Sequence, residues 1–240
     1  MKRTLSYFTL FLIFIVCITF TSGCNKRIEN EKETTGESKE TTGETASEDN
    51  FRVFTRYTQD NKTVLHSFKI PTSWRAAKEE SDSSYSGQEL FYNSERTKIV
   101  FISLTTIDNL KKLGIADFKK EKNFSSAIEK VKKYYENSGM FGKLEQNGKS
   151  GFIGENSKVK AYLSRFNGPT DLGNLGIEPG KLSEKGNKTI NIIFLTYEDS
   201  FCGYYVMIDA LSDIKDDENI ITNFVNSLEI SKAWESNTKY

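Results

Sequence analysis

The chain of 240 residues has few of the residues that build compact chemical sites. It contains one histidine, three cysteines and three prolines, and its 33 basic residues are balanced by 33 acidic ones. This balance gives no support to a nucleic-acid polyanion as partner. One histidine without a nearby cysteine or acidic cluster makes a poor zinc site. We therefore expect no nucleic-acid partner, no metal site and no cofactor.

The densest apolar run is confined to the N-terminus and is short for a membrane span of ~20 residues. Lys2 and Arg3 precede it, residues 10–20 form its core, and the small residues 21–23 follow it. A basic start, an apolar core and a small-residue end form the pattern of a secretory signal. The sequence therefore predicts export, with residues 1–23 as the signal peptide.

Gly23 and Cys24 resemble the lipobox of bacterial lipoproteins, where a small residue precedes the cysteine that takes a lipid. The resemblance covers residues 1–24 and departs from the family at Thr21, where leucine is preferred. It implies cleavage between Gly23 and Cys24, and membrane lipid bound as diacylglyceryl Cys24 on the outer face of the bacterial cytoplasmic membrane. Two acyl chains anchor a protein stably. An ordinary signal peptide and an uncleaved anchor are the alternatives, and both still predict export.

Residues 24–50 read as an acidic tether. They hold four basic and eight acidic residues and the near repeat KETTGES/KETTGET, and no large apolar residue stands between Ile28 and Phe51. Such a segment cannot offset the entropy of ordering, so we expect a disordered coil spanning roughly 30 Å. An acidic binding tail is the alternative interpretation.

Residues 51–231 predict a single α+β domain, with a mainly antiparallel sheet flanked by amphipathic helices and a polar tail at 232–240. Alternation and turn residues predict a hairpin, FRVFTRY and VLHSFKIP, in which 51, 53, 55 and 57 share one face. The other predicted strands are QELFYN, KIVFISLTT, FGKLEQ, KVKAYLSRF, TINIIFLTYE and CGYYVMIDAL.

Two helices are predicted from apolar residues at helical spacing. The first has the capping-box spacing of Ser126 and Glu129, should end at Gly139, and carries on one face Phe124, Ile128, Val131 and Tyr135. The second follows the acidic DIKDDEN, whose charges suit a helix N-terminus, and carries Ile220, Ile221, Phe224, Val225 and Leu228.

The stretches FKIPTSW (68–74) and FVNSLEI (224–230) resemble the PsbP and Mog1-like superfamily, which has an aromatic strand, a proline and a tryptophan early and an amphipathic helix late. The resemblance covers residues 51–231. It implies an α/β/α sandwich that serves mainly as a binding and assembly module.

Three isolated features could carry chemistry, and each has a plainer interpretation. His66 could be a general base, but its strand face with Phe68 and Ile70 predicts a half-buried histidine. Cys202 would be the lone cysteine of the mature domain, and no activating base stands near it, so we expect a buried hydrophobe. The acidic residues of DIKDDEN (Asp213, Asp216, Asp217 and Glu218) could bind calcium, but they lack the EF-hand glycine, so helix-terminus solvation is favoured.

Two surfaces are candidates for contact with a partner. Residues 167–188 form a long loop with five glycines, and the candidate contact residues are Asn167, Gly168, Asp171, Gly176, Gly180 and Lys181. They lack the Walker spacing. A basic helix surface contains Lys130, Lys132 and Lys133, either as a solvated face or as a contact for anionic lipid or an acidic wall polymer.

These observations predict a membrane-anchored extracytoplasmic lipoprotein that acts as a binding or accessory module without catalytic activity. An envelope protein or a wall polymer would be its partner. A cell-envelope hydrolase is one alternative, although no G-x-S-x-G motif supports it. A sensor subunit of a membrane complex is the other.

Overall fold

The computed structural model describes residues 50–57, 63–76, 88–107, 121–172, 182, 186–198 and 200–234. These residues belong to one compact unit, Glu48–Tyr240. The predicted signal, the lipidation site at Cys24, residues 24–49 of the tether and residues 235–240 of the tail lie outside the described residues.

Strands dominate the described chain, and two helices accompany them. In chain order the elements are β1 (Phe51–Tyr57), β2 (Val64–Pro71), β3 (Arg75–Ala76), β4 (Gln88–Tyr92), β5 (Lys98–Thr106), α1 (Glu121–Asn137), β6 (Glu145–Gln146), β7 (Gly151–Ile153), β8 (Val159–Pro169), β9 (Asn187–Tyr197), β10 (Phe201–Asp209), α2 (Ile214–Ser227) and β11 (Glu229–Ile230). The strands form an eight-stranded sheet, which we call the large sheet, and a three-stranded sheet, which we call the small sheet.

The large sheet runs β3-β4-β5-β10-β9-β8-β6, with β7 also paired to β8. All its strand pairs are antiparallel. Its centre is β10, which pairs Tyr205 with Ile102 of β5 and with Ile193 of β9. The apolar runs in β5, β9 and β10 fit strands covered on both faces. The prediction of KIVFISLTT as a strand is confirmed, since these residues form β5.

Alternation along the central strands creates two apolar cores, one on each face of the large sheet. Tyr205 and Met207 of β10 face the core that contains Phe224 of α2 and Phe68 of the small sheet. Val206 and Ile208 face the other core, which contains Phe124, Ile128 and Tyr135 of α1. The predicted class, α+β with an antiparallel sheet flanked by amphipathic helices, is confirmed.

The small sheet has the order β1-β2-β11 and lies on the same side of the large sheet as α2. The predicted hairpin is present, with Phe54 opposite Phe68. Phe54 and Arg56 point inward and are buried, whereas Val53 and Tyr57 of the predicted apolar face are exposed. The inward face of β1 is therefore the face that carries Arg52, Phe54 and Arg56. Arg56 can be buried there because it pairs with the buried carboxylate of Glu89.

The start of α1 differs from its prediction, whereas the end of α1 and the start of α2 agree with theirs. Residues 121–125 are already helical, so Ser126 and Glu129 lie inside α1 and the predicted capping box is wrong. The helix ends at Asn137, and Gly139 follows with φ +78°, a conformation that suits glycine. Asp213 caps α2, since its side chain accepts a 3.2 Å hydrogen bond from Asp216 N.

Several short pairings differ from the expected strands. FGKLEQ contributes only β6 and an isolated bridge between Phe141 and Thr170. The strands β3, β7 and β11 have two or three residues each and are too short for a periodic signal. Within the described ranges, neither helix combines the length and apolar character needed to cross a membrane.

Candidate functional site

A buried lysine lies at the N-terminal end of α2, inside the acidic cluster of DIKDDEN. Lys98 starts β5, and its side chain is almost fully buried. Its ammonium nitrogen is 2.6 Å from Asp217 Oδ1, 2.9 Å from Asp216 Oδ2 and 3.4 Å from Asp209 Oδ2. The ammonium thus takes the central place that a bound cation would occupy among these carboxylates. We call Lys98, Asp209, Asp216 and Asp217 the lysine–aspartate cluster.

Burial and ion pairing shift the pKa values of this cluster in opposite directions. Burial by itself would lower the pKa of Lys98, but the hydrogen bonds to Asp217 and Asp216 and the nearby charges raise it. Burial raises the pKa of Asp217 to about 6, although hydrogen bonding to Lys98 opposes the shift. Lys98 therefore stays protonated at neutral pH.

The cluster continues through polar side chains of the large sheet. Asn191 Nδ2 donates to Asp217 Oδ2 across 2.9 Å, and Arg165 Nε donates to Asn191 Oδ1 across 2.9 Å. Arg165 Nη2 then lies 3.1 Å from Glu218 Oε1 at the surface. Asp209 accepts from the backbone nitrogens of Leu211 and Asp213. This chain of bonds fixes the start of α2 on β5, β8 and β9.

The lysine–aspartate cluster therefore stabilises the packing of α2 on the large sheet. Calcium binding by DIKDDEN would have to displace the Lys98 ammonium. No group of three or more His, Cys, Asp or Glu among the described residues is arranged to hold a metal ion. Of the four acidic residues in DIKDDEN, Asp217 is buried, while Asp213 and Glu218 are exposed.

The single histidine lies in a second buried charged group, between the two sheets. Glu89 of β4 accepts hydrogen bonds of 2.9 Å and 2.7 Å from Nε and Nη2 of Arg56. His66 Nε2 is 3.2 Å from Glu89 Oε1. Arg56 and His66 belong to the small sheet, so Glu89 links this sheet to the large one. We call these three residues the Glu89 triad.

Aromatic rings enclose the Glu89 triad. His66 stacks on Phe68 with centroids 5.7 Å apart, and Trp234 lies 5.1 Å from the imidazole. Burial lowers the pKa of His66 and outweighs the opposing hydrogen bond to Glu89. Burial alone would raise the pKa of Glu89, but the hydrogen bonds from His66 and Arg56 lower it. A neutral His66 with no exposed surface agrees with a structural histidine, and it is more buried than the half-buried residue predicted.

Cys202 is fully buried on β10, as predicted. Its Sγ lies 3.7 Å from the carbonyl oxygen of Thr105, and burial raises the pKa of the thiol. A thiol that stays protonated and inaccessible is a weak nucleophile.

The predicted loop is shorter than the sequence indicated, because β8 continues to Pro169. Asn167 and Gly168 lie in this strand, where Asn167 Oδ1 accepts a 3.0 Å hydrogen bond from Asn147. A Cβ on Gly168 would lie 2.5 Å from Leu144 Cδ2, so glycine permits this close approach. Asp171 is exposed just beyond the strand. Gly176, Gly180 and Lys181 lie outside the described residues.

The three predicted basic residues of α1 differ in their surroundings. Lys130 and Lys133 are exposed. Lys132 turns back onto the protein, with its ammonium 5.1 Å from the centre of the Phe166 ring and 3.4 Å from Glu129 Oε2. Only two of the three lysines are therefore fully presented to an external partner.

The outer face of the small sheet carries three exposed apolar residues that the sequence did not predict as exposed. Val53, Tyr57 and Val64 are 60%, 45% and 38% exposed. Tyr57 and Val64 are directly paired across β1 and β2, and Val53 lies on the same face two pairs further along. We call this surface the hairpin face.

Sequence reasoning missed Lys98, Arg56 and Glu89. A weak signal existed for Glu89, because in QELFY it alternates with Phe91, and both residues are buried. Lys98 is the first residue of the apolar strand β5, and no pattern connects it with α2.

No protein-family model and no curated protein matches the sequence. Among solved structures, the chain is similar to the solution structure of cyanobacterial PsbP (CyanoP) from Synechocystis sp. PCC 6803. The two chains share 12% identity with a TM-score of 0.45, and the match covers 76% of this chain and 93% of the other. The name of that protein, PsbP, is also part of the name of the superfamily that residues 68–74 and 224–230 resemble.

Proposed function

We propose that the protein is an exported lipoprotein, attached to the outer face of the cytoplasmic membrane through a diacylglyceryl group on Cys24. The proposal rests on the succession of residue types at the N-terminus. Basic residues come first, followed by an apolar core, small residues and then Gly23-Cys24. Its domain acts as a binding or accessory module for an envelope protein or a wall polymer.

The arrangement of the charged groups supports a binding role over catalysis. Lys98, Asp217, His66 and Glu89 are all buried and engaged in hydrogen bonds or ion pairs. A catalytic acid or base has to reach a substrate proton, so such groups must open onto a cleft. These groups instead stabilise contacts between sheets and helix.

The anchoring step is tested by replacing Cys24 with Ser in the producing cell. We expect wild-type protein in the membrane fraction, with a mass increment at Cys24, and the Cys24→Ser variant without this increment. Cys202→Ser is the matched control, because it removes a buried cysteine outside the signal and should leave the anchor intact. A free Cys24 thiol in the mature wild-type protein would contradict the anchor and leave export standing.

The partner is sought by crosslinking the native, lipidated protein in its own cells, followed by purification and mass spectrometry. A membrane protein recovered in fixed ratio would indicate a subunit of a complex. A wall fragment would indicate a polymer-binding role. Charge reversal of Lys130 and Lys133 to Glu would test whether α1 forms the contact, since both side chains are exposed.

A further inference from the structure

We propose that Lys98 and Asp217 become joined by an isopeptide bond, an amide between the lysine nitrogen and the side-chain carbonyl carbon of the aspartate. The two groups are in contact in the interior, with Lys98 Nζ 2.6 Å from Asp217 Oδ1. Their ion pair is the state that precedes the bond. The inference is independent of the proposed anchoring, because it concerns the folded domain alone.

Burial distinguishes this pair from an ordinary ion pair at the surface. The side chain of Lys98 is 6% exposed and that of Asp217 is fully buried. The fold thus holds the amine and the carboxyl group together at a high effective concentration, which for well-oriented groups reaches about 10⁵–10⁸ M. A condensation that is negligible between free amino acids becomes accessible in this arrangement.

The proton that charges Lys98 has to leave before its nitrogen can attack. Transfer along the 2.6 Å hydrogen bond to Asp217 Oδ1 converts the ion pair into a neutral amine beside a neutral acid. Burial favours the uncharged form of both groups, and it raises the pKa of Asp217 to about 6. Because hydrogen bonds and nearby charges raise the pKa of Lys98, the neutral pair is rare and the bond forms slowly after folding.

Each oxygen of Asp217 has a partner that fits one step of the reaction. Lys98 Nζ bonds to Asp217 Cγ, and the electron pair of the carbonyl bond moves onto Oδ2. Asn191 Nδ2 stabilises the charge on this oxygen, because it donates a hydrogen bond to Oδ2 across 2.9 Å. The electron pair then returns to Cγ, the bond from Cγ to Oδ1 breaks, and Oδ1 leaves as water.

Asp209 is placed to carry the second proton that this water needs. Its Oδ2 is 3.4 Å from Lys98 Nζ, and its side chain is fully buried. The backbone nitrogens of Leu211 and Asp213 donate to its two oxygens and fix its orientation. Asp209 accepts the proton from Nζ, gives it to Oδ1 of Asp217 and ends in its starting charge state. One water is released, and nothing is oxidised or reduced.

Asp217 is the favoured acceptor among the groups around the lysine. Asp216 Oδ2 is 2.9 Å from Lys98 Nζ, but its side chain is 42% exposed and stays in contact with water. Asp209 is buried but further away, at 3.4 Å. Asp217 therefore combines the shortest contact with complete burial.

The bond would supply a covalent link that the described elements otherwise lack. Cys202 is the one cysteine among the described residues and it is free, so no disulfide joins these elements. Lys98 and Asp217 are 119 positions apart, and a crosslink that closes a long loop restricts the unfolded chain. The isopeptide bond would therefore hold α2 on β5 permanently.

The experiment uses the full-length protein purified from its producing cells, unfolded and digested with trypsin. Trypsin does not cleave after a lysine whose side chain forms an amide. The bond therefore joins residues 97–111 to residues 216–232, and the joined pair is lighter than the two peptides together by one water molecule. Unmodified protein yields residues 99–111 and 216–232 separately. We expect mass spectrometry to find the joined pair in place of the separate peptides.

Lys158 and Glu229 provide a matched control in the same digest. Their 2.8 Å ion pair is exposed to solvent, so their peptides should stay separate. The variant Lys98→Arg keeps a cation at position 98 but removes the amine, and it should lose the joined pair. Lys158→Met should retain it. The wild-type digest decides the proposal even where a variant fails to fold.

Three results would overturn the proposal. Separate peptides 99–111 and 216–232 from the folded wild-type protein would show that the ion pair stays non-covalent. Residues 97–111 joined to residues 189–215 would assign the bond to Asn191 if ammonia is lost, or to Asp209 if water is lost. Fragmentation that locates the link at Asp216 would show that the exposed carboxyl group reacts instead.

Discussion

Lys98 and Asp217 are 119 positions apart in the sequence, yet Lys98 Nζ donates a 2.6 Å hydrogen bond to Asp217 Oδ1 in the interior of the domain. The bond connects the start of a central strand to the first turns of α2. Both charged groups are removed from water, and the attraction between them offsets the free-energy cost of that desolvation. The bond therefore fixes where the helix begins on the sheet.

Replacing Lys98 with Met should destabilise the domain strongly. The substitution removes the cation and leaves the buried carboxylates of Asp217 and Asp209 without their partner. Breaking a buried ion pair in this way costs about 3–5 kcal/mol. Urea unfolding followed by circular dichroism would measure the change in the free energy of unfolding.

Lys158→Met provides the control for this measurement. Lys158 forms a 2.8 Å pair with Glu229, but the pair is exposed to solvent, so its loss should change stability little. Combining Lys98→Met with Asp217→Asn should restore part of the lost stability, because no uncompensated charge remains at position 217. Equal losses for the two Met variants would contradict the assigned role of the cluster.

His66 should make the domain less stable in mild acid. Burial lowers the pKa of His66 from 6.5 in the folded protein, so the unfolded chain takes up the proton first. The stability linked to neutral His66 is present above pH 6.5 and is lost as the pH falls below it. The slope is at most about 1.4 kcal/mol per pH unit for one proton.

A His66→Gln variant isolates this effect, since glutamine can still donate a hydrogen bond to Glu89 and does not titrate. Urea unfolding between about pH 7 and pH 5 should show a steeper loss of stability for the wild type than for the variant. Asp217 titrates in the same range, but it is present in both proteins and cancels in their difference. Parallel pH profiles would show that His66 takes no part.

Gly203 should not tolerate a methyl group. A Cβ at this position would overlap the carbonyl oxygen of Ser103 and lie 2.8 Å from Leu104 Cδ2, in the closely paired strands β5 and β10. We expect Gly203→Ala to cost about 1–3 kcal/mol, because the backbone has to shift. Gly151→Ala is the matched control in β7, where a Cβ meets no heavy atom within 4 Å. Thermal unfolding that gives similar midpoints for both variants would contradict this packing.

Cys202 should react with thiol reagents only after the domain unfolds. Its side chain is fully buried, and burial raises the pKa of the thiol. Reaction of the native domain with an aromatic disulfide should be roughly 100-fold slower than reaction in urea, because it requires an opening of the core. The Cys202→Ser variant gives the background. Rapid modification of the native protein would assign an accessible thiol to this position.

The sequence predicted the long elements well, because each carries its own periodic pattern. The strands β9 and β10 follow from their apolar runs, and the apolar face of α1 follows from helical spacing. The short strands β7 and β11 could not be predicted, since two or three residues form a strand only where a neighbour supplies the hydrogen bonds. The face of β1 was misjudged because Arg56 is buried, and only its distant partner Glu89 accounts for that.

The sequence alone determined the local patterns of this protein: basic, apolar and small residues in that order up to Gly23-Cys24, an acidic stretch, apolar strands and two amphipathic helices. These properties depend on neighbouring residues, so they can be read along the chain. The tertiary structure alone decided that Lys98 meets three aspartates, that Glu89 links two sheets, and that Val53 and Tyr57 face outward. Such pairings depend on which elements pack together, and residues separated by 33 or 119 positions carry no common local pattern.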